Sequence, residues 1–427
     1  MKQSKDIQPG DYVEVHLGKT IYEGTLLEAP QDEKGVVLLK LNSGYNIGFN
    51  RKDVFDIKLL EKGEEKKEKI ELKKDEKKPN IAMIITGGTI ASRMDPKKGG
   101  VSPLTSPEDF FKFYPDIFNL VNVARVEIPF TKWSEDMDFR DWQRLAKTTE
   151  KFLNDSNIKG VVITQGTDSL HYSSAALSFF LGKVNKPVVL TYSQRSSDRA
   201  SSDAYLNLRC SALIAISDIA EVVLVGHASS DDDFCYAMPG TKVRKLHTSR
   251  RDAFKVVNSK PYAKIFTDRI EILREHRMRS SNKVKVDLKF SDKIALIKFY
   301  PGQNPDLLDY YLKNKYKGIV IEFMGLGQIS TKGKNSWIKK LKEVQRKGII
   351  VCAAAQTIYG RINPLVYSAG RDLLKTGVIY LEDMLSETAF VKLGWVLGHE
   401  SWAKNKELVR QKMLENLHGE LSERLEE

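Results

Sequence analysis

The chain has 427 residues, 41% of them hydrophobic and 29% charged, with 68 basic against 56 acidic side chains for a net charge of +12. That length suggests about three domains, and three cysteines exclude a disulfide-stapled secreted scaffold. No run of roughly 18 apolar residues predicts a membrane span. The opening MKQSKDIQPGDYVEV lacks the apolar stretch of a signal peptide, so a cytoplasmic location is expected.

Residues 1–60 are expected to form a small β-barrel. Asp11–His16, Thr20–Leu27 and Gly35–Leu41 are β-branched or alternating, with Asn46–Phe49 and Val54–Leu59 as further strands. Several short strands in so few residues favour an SH3-like or Sm-like barrel. Residues 61–79 follow, and 15 of these 19 are charged with mixed sign, which predicts a linker or exposed helix.

From residue 80 the pattern becomes α/β. The apolar runs Ile81–Ile85, Val161–Ile163, Val188–Leu190 and Val222–Val225 each stop in small or polar residues. Helix-like stretches at Phe139–Leu153 and Leu170–Leu181 lie between them. This alternation predicts a parallel sheet covered on both faces, with ligands at the carboxyl ends of its strands. A second cycle begins near Lys293. Its strands are Ile294–Ile297, Gly318–Glu322, Gly348–Ala353 and Val378–Tyr380, and its helices are Asp306–Lys313 and Ser336–Lys347. The expected division is therefore 80–280 and 281–427. Residues 383–398 and 402–420 read as helices, and HGELSERLEE as an exposed tail.

Three segments carry candidate chemistry. TGGTI at 86–90 sets Thr89 beside two glycines at a strand end. Glycine lets a backbone approach a substrate closely, and N–H groups there can hold an oxyanion. The same motif alone fits a phosphate cradle or a tight turn. TQGTDSL at 164–170 repeats the arrangement and adds Asp168, although Asp and Ser before a helix also serve as caps. In MPGTKVRKLHTSRRDAF, 238–254, a lysine could serve as a base, and local composition does not choose between Lys242 and Lys245.

In order and context these segments resemble the type I/type II bacterial L-asparaginase family over residues 81–400. The resemblance implies a two-domain asparaginase-like α/β fold and threonine-based amide hydrolysis. It makes Thr89 the nucleophile, Thr167 and Asp168 the second hydroxyl and its carboxylate, and Lys245 their amine. It gives the Gly88 backbone an oxyanion role. WSEDM at 133–137 matches the loop that binds the substrate carboxylate, assigning Ser134, with Glu135 where many asparaginases have an amide. MGLGQIS at 324–330 matches a turn through which a neighbouring protomer completes the site, assigning Gln328 and implying a homodimer core.

The sequence also departs from free asparaginases. The loop SRMDPKKGGVSP, 92–103, lacks the usual tyrosine, YSQRSSDRASSD stands at 192–203, and the barrel and charged linker are extra. In these features the whole chain resembles the GatD family, the D subunits of archaeal Glu-tRNA(Gln) amidotransferases. That implies a glutaminase feeding ammonia to a GatE-type partner in a complex of two D and two E subunits. The partner would use ATP and Mg2+ to activate and amidate Glu-tRNA(Gln). No cofactor is expected in this chain, which has neither a P-loop nor metal-ligand spacing; Asp231–Asp233 after His227 could suggest a metal, but with no second spaced ligand set the run reads as a solvated loop. The alternatives are a free-standing L-asparaginase and a non-catalytic module.

The remaining features have bland readings. Cys210, Cys235 and Cys352 read as buried apolar residues. Residues 241–290 hold 15 basic and 5 acidic side chains, and 312–350 hold 10 and 2. Such stretches suit either a solvated surface or a phosphate backbone; Lys339, Lys340, Lys342, Arg346 and Lys347 share one helix.

Overall fold

The computed structural model describes residues 7–29, 35–43, 45–63, 75–94, 101–103, 114, 117, 119–196, 199 and 201–425. Five strands open the chain: β1 (Tyr12–Leu17), β2 (Thr20–Leu27), β3 (Val36–Leu41), β4 (Asn46–Asn50) and β5 (Asp56–Glu61). They form an antiparallel meander whose last strand returns to pair with the first, in the order β4-β3-β2-β1-β5. Alternation puts Val13, Val15, Val37, Leu39 and Phe49 in one small core. Gly24 is required where β2 crosses β3, because a Cβ there would stand 2.0 Å from the Lys40 carbonyl oxygen. Asp11 ties the ends of this unit together, accepting from the N–H groups of Gln8 and Gly63 and from Lys62. Burial pushes its carboxyl up, but these donors outweigh that and hold it below the usual range. Residues 64–74 of the expected linker lie outside the described residues.

The next elements build the larger sheet: β6 (Asn80–Ile85), the paired β7 (Ser92–Met94) and β8 (Val101–Pro103), β9 (Asn122–Glu127), α1 (Phe139–Leu153), β10 (Val161–Thr164), α2 (Leu170–Leu181), β11 (Val188–Thr191), α3 (Ala204–Ile216) and β12 (Val222–His227). There follow β13 (Cys235–Pro239), the paired β14 (Val243–Lys245) and β15 (Phe254–Val256), β16 (Ala263–Ile265) and β17 (Ile270–Ile272). The sheet order is β17-β16-β13-β12-β11-β10-β6-β9. β9, β6, β10, β11 and β12 are parallel, and β13, β16 and β17 extend the edge antiparallel. The register sets Ile85, Thr164, Thr191 and Val225 abreast, so the turns beyond β6, β10 and β11 open side by side.

The smaller sheet comprises β18 (Ile294–Lys298), α4 (Leu308–Lys313), β19 (Gly318–Phe323), α5 (Ile338–Arg346), β20 (Ile350–Ala355), α6 (Ser368–Leu374) and β21 (Ile379–Tyr380), with all four strands parallel in chain order. Three helices close the chain: α7 (Ser386–Gly398), α8 (Glu400–Ala403) and α9 (Lys406–Leu414). One apolar cluster runs from α1 and α2 through α7 to β19 and β20, so the two α/β layers share a core. Among the described residues no helix is long and apolar enough to cross a membrane.

Two expectations about the C-terminus are corrected. The helix expected over 402–420 is broken: Asn405 accepts from the N–H groups of Glu407 and Leu408 and starts a new helix, which stops at Leu414. The tail is not exposed at its start either, since Glu420 is buried against the equally buried Lys392 at 2.6 Å. A wholly buried ammonium needs a counter-charge, and the tail supplies it.

Candidate active site at the strand ends

Two glycines let the turns after β6 and β10 touch. Gly88 has φ +80°, and a Cβ on it would stand 2.3 Å from the Gly166 nitrogen and 2.4 Å from its Cα. Since neighbouring Cα atoms are about 3.8 Å apart, the Cα atoms of Thr89 and Thr167 are at most about 12 Å apart. Thr89 is half-buried at the start of a single 3-10 turn, Thr89–Ala91. The N–H groups of Gly88 and Thr167 make no hydrogen bond among the described residues.

The two lysines have different partners. Lys245, at the end of β14, donates to Thr167 Oγ1 at 2.7 Å and to Asp168 Oδ1 at 2.8 Å. Its side chain is 12% exposed, whereas the Asp168 carboxylate is 64% exposed. Lys242 is wholly buried and donates to Asp383 Oδ2 at 2.6 Å. Arg244, between them, pairs with Glu387 of α7 at 2.9 Å. Burial raises the Glu387 carboxyl, and Arg244 partly offsets that. Thus β14 is fastened to the C-terminal layer by Lys242 and Arg244, while Lys245 turns to the strand ends.

The loop before α1 closes one side. The N–H of Lys132 donates to the Thr86 carbonyl, and its ammonium pairs with Asp141, which also belongs to the capping box of α1. Ser134 is thereby held against Gly166, where a Cβ would stand 2.9 Å from both Cβ and Oγ of the serine. The Ser134 hydroxyl accepts from the N–H of Asp168 at 3.0 Å, and its carbonyl accepts from the Ser169 hydroxyl at 2.6 Å. Ser169 occupies the cap position of α2 without making the side-chain cap bond expected of it. Ser134, Glu135 and Asp168 line a cavity of about 420 Å³ together with Met137, Tyr172 and Phe390. A smaller one of about 260 Å³ opens at Gly88, beside Thr131 and Trp133.

Gln328 is not part of this cluster: its backbone closes a tight turn with Met324, and its Nε2 is buried without a partner among the described residues. Residues 95–100 of the loop after Thr89 lie outside the described residues, as do 197, 198 and 200 of the segment after β11. The described part of that segment is organised by Asp203, which accepts from the Ser193 hydroxyl and from the N–H groups of Gln194 and Arg195. All three cysteines are buried. His227 is buried too, its two ring nitrogens occupied by Asn207 and Asp232.

Sequence reasoning missed His171, on the first turn of α2. Burial drives its ring down to about 3, and the charges of Arg244 and Lys245 act in the same direction. Its Nδ1 has no partner among the described residues. The neutral ring adds no second positive charge beside Lys245. Gln165, with both amide atoms buried and unpaired among the described residues, was also missed. A single His or Gln with no spaced partner residue in the sequence gives no pattern to read.

Comparisons with known proteins give the family and the fold. The model of the asparaginase N-terminal domain matches residues 80–278, that of the glutaminase/asparaginase C-terminal domain 293–411, and that of the GatD N-terminal domain 7–60. The D subunit of the Pyrococcus furiosus glutamyl-tRNA(Gln) amidotransferase is 45% identical, covering 98% of this chain and 96% of its own length. The chain belongs to the GatD family of glutamyl-tRNA(Gln) amidotransferase subunits. The Methanothermobacter thermautotrophicus member is 41% identical over 99% of this chain and 96% of its own. Among solved structures, the thermostable L-asparaginase of Thermococcus kodakarensis superposes with a TM-score of 0.71 at 28% identity, covering 80% of this chain and 99% of that one. L-asparaginase I of Vibrio cholerae gives 0.66 at 26%, covering 81% and 99%. The asparaginase-like α/β fold expected from the motifs is thus the fold of this GatD family member, an amidohydrolase-family enzyme.

Proposed function

We propose that this chain is the glutaminase component of a tRNA-dependent amidotransferase that converts Glu-tRNA(Gln) to Gln-tRNA(Gln). The carrying observation is the single ammonium of Lys245 shared between Thr167 and Asp168 beside the Gly88–Gly166 contact. Glutamine enters at the strand ends, where Asp168 takes its α-amino group and Ser134 with the neighbouring Glu135 faces its α-carboxylate end. Thr89 Oγ attacks the side-chain amide carbon. The C–N bond breaks, ammonia leaves, and an acyl-enzyme ester remains. The N–H groups of Gly88 and Thr167 receive the oxyanion, and one such donor is worth about 10²–10³ in rate. Thr167, relayed to Lys245 and Asp168, activates the water that cleaves the ester to glutamate. Gln328 acts across a homodimer contact. Ammonia passes to a GatE-type partner, which carries the ATP- and Mg2+-dependent ligase step, in a cytoplasmic complex of two D and two E subunits. This chain itself holds no cofactor.

The test is ammonia release from glutamine and from asparagine by the chain alone and with its partner and Glu-tRNA(Gln). The expected result is slow glutamine hydrolysis that the complex accelerates. Fast asparagine hydrolysis by the lone chain, indifferent to partner and tRNA, would identify a free asparaginase instead.

A further inference from the structure

Four side chains of the second cationic stretch, on and just beyond α5, divide by their partners. On α5, Lys340 is held by Asp306, Asp309 and Glu343, and Lys347 by Glu343. Lys342 and Arg346, one helical turn apart, make no ion pair among the described residues and face the other way, into a groove of about 520 Å³. Three more cations reach the same groove from two other elements: Lys375 from the end of α6, and Lys406 and Arg410 from α9. Arg410 is likewise without an ion pair among the described residues. Lys375 has an exposed pair with Asp372 at 3.2 Å, and Lys406 donates to the Gln345 carbonyl. Against these five cations the groove offers one carboxylate, Glu407.

Charges of one sign gathered around a concave surface repel each other and focus a positive potential outward. The groove begins at Ile350 and Ile379, the amino ends of β20 and β21, whereas parallel sheets bind their small-molecule ligands at the carboxyl ends. It is therefore an outer docking surface and not a second catalytic pocket. Long Lys and Arg side chains, three of the five without an ion pair or hydrogen bond among the described residues, suit phosphate oxygens, which need charge and give no sequence information.

We propose that this groove binds the phosphate backbone of RNA and so helps to seat tRNA on the complex. The choice of RNA among polyanions rests on the function proposed above.

The full chain, alone and with its partner protein, is titrated with a tRNA transcript between about 50 and 200 mM salt, the range over which phosphate contacts weaken steeply. Each cation on a phosphate contributes about 0.7–0.9 to the slope of log affinity against log salt. The triple variant Lys342→Glu, Arg346→Glu, Arg410→Glu should bind about tenfold or more weakly at low salt, with the slope reduced by about two to three. The control Lys313→Glu, Lys332→Glu, Lys334→Glu changes charge equally, outside the groove, and should change affinity far less. Should the reversed variant fail a thermal-melt check, Lys342→Gln with Arg410→Gln should still lower the slope by about one and a half. Equal weakening by both triple variants, no RNA binding by the wild type, or tighter binding of inorganic triphosphate than of tRNA would overturn the proposal. Ammonia release by the wild type from glutamine without RNA is measured separately. Its absence would remove the glutaminase reading and leave the groove result standing.

Discussion

The strands β6 and β10 of the larger sheet and β19 and β20 of the smaller one are built alike: four to six buried residues, parallel pairing, and a turn of glycine or polar residues at the carboxyl end. The fates of the polar groups at those ends differ. After β20, Gln356 spends its N–H on the Phe323 carbonyl and its amide nitrogen on that of Phe299. At the end of β19, buried Glu322 accepts from Ser386. After β10, Thr167 and Asp168 are bound instead to a lysine delivered from β14, and the carboxylate remains largely exposed. The parallel sheet offers positions at its strand ends. Chemistry arises where those positions hold side chains that the fold does not use up.

The sharpest break of this comparison is at the hydroxyls. Thr89→Val and Thr167→Val each keep shape and remove one oxygen, and each should lower ammonia release about a thousandfold or more, as loss of a nucleophile or its relay does. Retention of activity within tenfold by either would remove that threonine from the mechanism. Changes at Gln356, whose amide is consumed within the smaller sheet, should leave the rate unaltered.

The next contrast lies within three residues of β14 and its approach. Lys245→Met should cost about 10²–10⁴ in rate, the range of a proton-handling group, with little loss of stability because its partner Asp168 is free to take up water. Lys242→Met should do the reverse. It leaves the buried Asp383 carboxylate, among the described residues, with only Arg361 at 3.8 Å and the Ser422 N–H, which costs about 3 kcal/mol, toward the low end for breaking a buried pair, visible as a lower urea midpoint. If Lys242→Met proved as inactive as Lys245→Met while fully folded, the division of labour between the two lysines would be wrong.

That division shows where sequence legibility ended. The motif turns, the strands ending in them and the helix Phe139–Leu153 were readable, because buried parallel strands are continuous apolar runs and an amphipathic helix has a period. Leu170–Leu181, buried at all but one position, has no such period and was placed only by its position between two strand-like runs. The helix Ala204–Ile216 was missed because it is packed on nearly all sides and carries no such period. The short antiparallel strands β13, β16 and β17 were missed because runs of three to five residues give no alternation to count. Lys242 and Lys245 differ only through partners 141 and about 78 positions away, and no local pattern reports those. The resemblance to a known motif register chose Lys245, and the buried Lys242–Asp383 pair gives the physical reason.

A smaller effect is expected at His171, the buried neutral ring beside Lys245. Its ring lies near 3 when folded and at the ordinary 6.5 when unfolded. Because the folded value is the lower one, the stabilisation is complete above about 6.5. It is lost as pH falls, when the unfolded chain takes up a proton that the folded chain refuses. The slope is up to about 1.4 kcal/mol per pH unit. His418, lowered to about 4 by burial, adds to it over a narrower window. His171→Gln should therefore flatten the fall in stability between about pH 6.5 and 4, measured by denaturant unfolding at each pH. An unchanged slope would show that the ring is hydrated in solution.

The weakest expected effect is at Lys340, the counterpart on α5 to the cations of the groove. Hydrogen bonding to Asp309, opposed by some burial and reinforced by Glu343 and Asp306, raises its ammonium above the ordinary lysine range. Three carboxylates around one cation look strong on paper. Yet Asp306, Asp309 and Glu343 are exposed, with side chains 65%, 54% and 38% accessible. Solvent screens such pairs, and ordering the side chains costs entropy, so Lys340→Ala should lower stability by no more than about 1 kcal/mol. High salt should shrink even that. The same substitution should leave RNA affinity nearly untouched, because a lysine already held by three carboxylates has little positive field left for a phosphate. A loss of RNA binding as large as that of the groove variants would mean that net charge on α5 matters and its facing does not.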